Sequence, residues 1–225
     1  MFGAAHATLI DRGGGLIYDT VLNVTWLQDA NYAKTSGYSS TGALNWGQAT
    51  TWAANLIYYD SVRNITWDDW RLPQTLPVNG TSYNYSLSDN GSTDVGYNLS
   101  APGTMYSGSK GSEMAFMYYN NLGNQAGGNP LVDANAGPFI NLRIWLDDIY
   151  WSGTEYDPNS AWFFSFFNGY QSSRNKIPGV YAWAVRSGDV GATPSSVPEP
   201  STMLFLGLGL MGLGMAKSFK EPRNG

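Results

Sequence analysis

Apolar and polar positions alternate in short runs along most of this chain, and helical spacing shows at only two places. Leu9 to Asp19 reads as strand, turn, strand, with Gly13, Gly14 and Gly15 supplying the turn. Asn23 to Leu27 continues as a β-rich segment. Asn45 to Leu56 is the first helix: Asn45 caps it, Gln48 completes a capping box, and Trp46, Ala49, Ala53 and Leu56 recur on one face. Glu113 to Leu122 is the second, started by Ser112 and closed by Gly123. Three strands follow, Ile149–Thr154, Ala161–Phe167 and Val180–Arg186. Trp162, Phe164 and Phe166 share one face of the second, Tyr181, Trp183 and Val185 one face of the third, and Asn168-Gly169 makes a tight turn after the second. No internal repeat is evident. Two helices among mostly antiparallel strands predict an α+β domain.

Two stretches depart from that rhythm. Residues 74–111 are polar and rich in Gly, Ser, Asn and Tyr, longer than an ordinary connection, and so either a functional excursion or a mobile insertion. Ser187 to Ser196 is a small-residue linker that leads to Val197-Pro198-Glu199-Pro200 and an apolar run, Thr202 to Ala216, followed by Lys217, Lys220 and Arg223. As a helix the run is about 22 Å long, short of the ~30 Å hydrocarbon core, and crosses a membrane only with thinning or snorkelling. The basic end predicts a cytoplasmic tail and an exported body.

Composition sharpens the picture. Charged residues are only 13% of the chain, and nine Trp, fifteen Tyr and nine Phe supply the area for a core. A net charge of −5 with no Lys/Arg cluster excludes nucleic acid. There is no cysteine and one histidine, His6, which removes thiol chemistry, Cys- or His-ligated zinc and a Ser-His-Asp triad. Ala5-His6-Ala7 has the small-x-small form of a signal-peptidase site, so residues 1–7 read as the remnant of a signal peptide.

Pro198, Glu199 and Pro200, the apolar helix 202–216 and the basic end together resemble the PEP-CTERM sorting signal of Gram-negative bacteria. The resemblance implies that residues 197–225 are read by an exosortase, a membrane peptidase that removes the helix during export. The strings Gly15-Leu16-Ile17-Tyr18-Asp19, Thr25-Trp26, Asp69-Trp70-Arg71-Leu72-Pro73, Tyr150 to Glu155 and Tyr181 to Arg186 resemble the Lcl C-terminal domain family, across residues 8–188 with a linker at 189–196. That resemblance implies a C-type-lectin-like fold, and in the adhesin that gave the family its name the domain is tied to sulfated polysaccharide.

The candidate chemistry is modest. Asp68-Asp69, Asp147-Asp148 and Glu155/Asp157 are possible acid–base pairs for glycoside hydrolysis. Ser107 to Lys110, Ser173 to Lys176 and Ser88-Asp89-Asn90 imitate penicillin-binding motifs by chance, since no Lys-Thr-Gly follows. Asp157-Pro158-Asn159 is either a turn or a calcium ligand pair, Asp157 and Asn159 being the only metal candidates, and no other cofactor is expected. Tyr156, Asp157, Asn159, Tyr170 and Gln171 are the candidate ligand-binding residues, since aromatic faces and nearby amides suit sugars. Arg71 and Arg186 are expected to tie the fold together. The reading is an exported, non-enzymatic, envelope- or matrix-associated protein that binds glycan weakly, with exosortase as a partner. The alternatives are a structural matrix component without a ligand and a carboxylate-based polysaccharide enzyme.

Overall fold

A computed structural model describes residues 8–127 and 134–191. In chain order the elements are β1 (Leu9–Asp11), β2 (Leu16–Asp19), β3 (Val24–Leu27), α1 (Tyr32–Thr35), β4 (Ala43–Leu44), α2 (Trp46–Ala54), β5 (Tyr58–Asp60), β6 (Ile65–Trp67), β7 (Trp70–Arg71), β8 (Leu87–Ser88), β9 (Val95–Gly96), α3 (Glu113–Phe116) with a π-helical turn over Met117–Asn121, β10 (Tyr150–Asp157), β11 (Ser160–Phe164), β12 (Gln171–Asn175), β13 (Val180–Tyr181) and β14 (Val185–Ser187). The class is mixed α+β, as the periodicity predicts. Ala5 and Ala7, residues 197–225 and the apolar run 202–216 lie outside the described residues. Among the described residues no helix is long and apolar enough to cross a membrane.

The strands form three sheets: β1-β2-β3-β14-β7, β4-β13-β10-β11-β12-β9-β8, and the two-stranded β5-β6. The last strand returns to the beginning of the domain, with Val185 opposite Trp26 and Ser187 opposite Val24. Gly188 N–H donates to Asn23 O at 2.8 Å, and Arg12 forms an ion pair with Asp189. The domain is therefore closed by pairing its two ends.

The third predicted strand, Val180–Arg186, is corrected by the structure into two, because the chain changes sheets in its middle. β13 pairs with β10 and β4, β14 with β3 and β7, and Ala182-Trp183-Ala184 crosses between them. Both sides of the crossing are buried, so the expected alternation gives way to five successive buried residues, Ala182 to Arg186. Trp183 fills the space between sheets, 4.6 Å from both the Trp26 and Phe139 rings, and its indole N–H donates to Leu27 O at 2.7 Å.

The first helix forms as read, with the Asn45–Gln48 capping box in place. The second helical segment starts at its Ser112 cap but widens after Phe116 into the π turn, so the two expected helices become three short ones and a π turn. The widened turn buries Tyr118 and Tyr119 against the seven-stranded sheet. Burial drives the Tyr118 hydroxyl up to about 12, and Tyr119 and Tyr150 are raised for the same first reason.

The polar stretch 74–111 is a packed excursion. Buried Asp94 organises it: one carboxylate oxygen accepts from Val78 N–H at 2.6 Å, the other from Asn84 N–H at 2.7 Å. Gln171 links it to the sheet, donating to Asp94 O at 2.9 Å and accepting from Ser112 Oγ at 2.6 Å. Burial raises the Asp94 carboxyl despite the two opposing N–H bonds.

The expectation of no internal repeat is also corrected. Tyr18-Asp19-Thr20-Val21-Leu22-Asn23-Val24-Thr25-Trp26 and Tyr59-Asp60-Ser61-Val62-Arg63-Asn64-Ile65-Thr66-Trp67 align without a gap and are identical at six of nine positions. They build the same hairpin, β2–β3 and β5–β6, with Asn23 at φ 54° and Asn64 at φ 53°.

Candidate functional site

The strongest candidate site is a groove of about 390 Å³ lined by Leu146, Asp147, Ile149, Phe163, Ser165, Phe167, Asn168, Tyr170 and Arg174. β11 and β12 set its floor: Phe163 lies opposite Ser172, and Arg174 opposite Ala161, on the face away from Trp162. The wall is the turn at Asn168-Gly169, closed by Gly169 N–H to Ser165 O at 2.9 Å and Ser165 N–H to Tyr170 O at 2.9 Å. Gly169 has φ +79°, and a Cβ there would sit 2.3 Å from the Tyr119 hydroxyl, so the turn presses directly on the π turn. Tyr119 donates to Gly169 O at 3.0 Å and accepts from Asn98 N–H at 2.8 Å, fixing the wall from behind. Tyr170 packs 5.0 Å from the Tyr97 ring and 6.2 Å from Phe163.

The electrostatics single this groove out. Of the arginines among the described residues, Arg12, Arg63, Arg71, Arg143 and Arg186 are each ion-paired, and Arg174 is not. Asp147, exposed at the rim with φ +73°, also has no ion-pair partner among the described residues. Exposed Trp145 and Leu146 stand at the same rim loop. In a chain so short of charge, one cation and one anion left uncommitted beside three aromatic rings form a place where hydroxyl groups and charged substituents can be held. A larger depression of about 620 Å³, between Leu76–Thr81 and Tyr106–Gly111, offers one ring, Tyr106, and one charge, Lys110.

The sequence-derived candidates divide between places. Tyr170 lines the groove. Tyr156 lies on the opposite face of the β10–β11 hairpin, against Trp162 at 5.1 Å and Tyr85 at 4.8 Å. Gln171 is fully buried with both ends of its amide engaged internally, which places it in the framework rather than at a surface. Asp157 caps the two-residue turn between β10 and β11, one oxygen accepting from Asn159 N–H at 2.7 Å and Ser160 N–H at 2.8 Å. Among the described residues no group of three or more His, Asp or Glu side chains gathers as metal ligands. Each suggested acid pair has a member held by a cation: Asp69 by Arg186, Asp148 by Arg143, Glu155 by Lys176. Arg71 grips Glu113 through two bonds of 2.7 Å and Arg186 grips Asp69 at 2.7 and 2.9 Å, the tying roles expected of them. Sequence reading missed Phe163 and Phe167, took Asp147 only as half of an acid pair and met Arg174 only inside a chance motif; the register of β11 against β12 brings Phe163 and Arg174 to one face.

Comparison with known proteins bears on the tail. Residues 196–218 match the model of the PEP-CTERM protein-sorting motif. No curated protein and no solved structure matches the chain. Nothing in these comparisons supports the Lcl C-terminal resemblance of the body. The tail motif implies a protein that is exported and sorted to the cell surface by exosortase.

Proposed function

We infer that the exported body is a non-enzymatic glycan-binding domain that works at the cell surface or in the extracellular matrix, with the groove at Tyr170 as its site. The observation that carries this reading is Arg174, without a carboxylate partner among the described residues and set beside Phe163, Phe167 and Tyr170. A sugar ring packs its C–H face on such rings while Asn168, Ser165 and Asp147 meet its hydroxyls, and Arg174 suits an acidic substituent. The ordered motifs that resemble the Lcl C-terminal domain family support the same choice of ligand class and a lectin-like kinship. The apolar run 202–216 would hold the precursor in the membrane until exosortase removes it.

A glycan array probed with the full chain, with and without calcium, tests the reading. Binding is expected on acidic glycans, reduced about tenfold by Tyr170→Ala and by Arg174→Gln. Calcium dependence lost in Asp157→Asn would assign the ion to the β10–β11 turn. A folded protein that binds no glycan would instead favour a purely structural matrix role.

A further inference from the structure

The geometry points to a second carbohydrate site on the opposite face of β11, an aromatic shelf of Tyr83, Tyr85 and Trp162 that takes an uncharged polysaccharide chain. Tyr83 and Tyr85 lie 5.7 Å apart and 19° from parallel, and both stack on the Trp162 indole, at 5.5 Å and 27° and at 6.1 Å and 20°. Tyr156 meets Tyr85 and Trp162 edge-on, at 71° and 74°, and stops the flat rings from sliding. Trp162 is fully buried, whereas Tyr85 is 50% exposed to solvent. Beneath this cover the Trp162 indole N–H is buried and has no hydrogen-bond partner among the described residues, a donor that a hydroxyl reaching past Tyr85 would satisfy.

The shelf is held in place before any ligand arrives. Asp94 binds the backbone at Val78 and Asn84, the Tyr83 hydroxyl donates to Thr75 O at 2.8 Å, and β8 enters the sheet just after Tyr85. Rings fixed in this way lose little freedom on binding. The chemistry around them selects the occupant. From Gln74 to Ser88 the chain carries no charged residue, and Thr81, Ser82, Asn84 and Ser86 place exposed hydroxyl and amide groups around the rings. A charged partner finds no counter-charge in this segment; a flat, uncharged, hydroxyl-rich chain finds both a stacking face and hydrogen-bond partners. Together with the groove on the other face, the shelf would let one domain hold two glycan chains.

The inference extends the glycan reading to residues that reading does not use, so either can fail alone. The full chain is passed over microcrystalline cellulose, chitin and insoluble mannan at about 0.15 M and about 1 M salt. Retention is expected on at least one of them, unchanged by salt, reduced about tenfold in Tyr85→Ala, kept in Tyr85→Trp and unaffected by Arg174→Gln. Tyr85 is the residue of choice because it is half exposed while Trp162 is fully buried, with near-UV circular dichroism as the check that Trp162 stays packed and the chain folded. A folded wild-type chain that passes freely through all three polymers, retention that salt abolishes, or Tyr85→Ala retained like wild type would overturn the proposal.

Discussion

Two hairpins of nearly the same sequence live in different surroundings, and the contrast separates what a turn dictates from what its neighbours dictate. In β2–β3, Asp19 accepts from Val21 and Leu22 N–H at 2.9 and 3.0 Å, and the Tyr18 hydroxyl donates to Asn23 at 2.9 Å. In β5–β6, Asp60 accepts from Val62 and Arg63 N–H at 3.0 and 3.2 Å, and the Tyr59 hydroxyl donates to Asn64 at 2.8 Å. The turn is thus a local property of the motif. Burial is not: β2 and β3 sit in the middle of the five-stranded sheet, while Tyr59, Val62 and Ile65 are exposed at 59%, 60% and 40%. The second hairpin instead packs on the turn Gly13 to Gly15, where a Cβ on Gly15 would lie 2.4 Å from the Tyr58 hydroxyl.

One position reverses the electrostatics. Arg63 places its guanidinium 2.7 Å from Asp60 and the Trp67 indole adds a bond at 3.2 Å; Leu22 at the equivalent place gives Asp19 no cation, and its second oxygen accepts from Asn121 at 2.5 Å. Burial, the largest influence on both, raises Asp19; at Asp60 the bonds from Arg63, Trp67 and the backbone outweigh it and hold the carboxyl below its usual range.

Removing the carboxylates probes this contrast hardest. Asp60→Ala leaves a guanidinium, an indole and two N–H groups without their acceptor and should lower stability by about 3 kcal/mol in urea unfolding at neutral pH. Asp19→Ala strands only neutral donors and should cost about 2 kcal/mol in the same assay. The pH profiles should diverge next. Because Asp19 is raised, the folded state takes up its proton first, so wild type gains on Asp19→Asn as pH falls through the raised value toward the ordinary carboxylate range. Because Asp60 is lowered, the advantage of wild type over Asp60→Asn holds above the ordinary carboxylate value and is lost as pH falls through the depressed one. The smallest effect belongs to Leu22→Arg, which moves the cation into the first hairpin. It should flatten the Asp19 pH profile and change stability by no more than about 1 kcal/mol, and an unaltered profile would mean that Arg63 is not the cause of the difference.

The same division explains what could be read from the residues alone. Local devices were legible: the Asn45 capping box, the Ser112 cap and the turn glycines each act within a few positions. The tail motif is equally local, Val197-Pro198-Glu199-Pro200 and a greasy run. What escaped depends on distant partners. Val180–Arg186 alternates like one strand, but its middle is buried on both sides because two sheets meet there. Tyr156 and Tyr170 looked like neighbours near strand ends, and the pleat sends them to opposite faces. The duplicated hairpin lay open to inspection in the letters, masked by unlike residues at Leu22 and Arg63.

The most direct test is to recover the protein from the surface polysaccharide of intact cells that produce it, comparing wild type with a Tyr170→Ala, Arg174→Gln double variant. A surface-delivered glycan-binding body predicts wild type bound to the polysaccharide and released with it, and the variant delivered to the surface but washed away. Full-length chain confined to the cytosol, or a variant that holds to the polysaccharide as firmly as wild type, would contradict it.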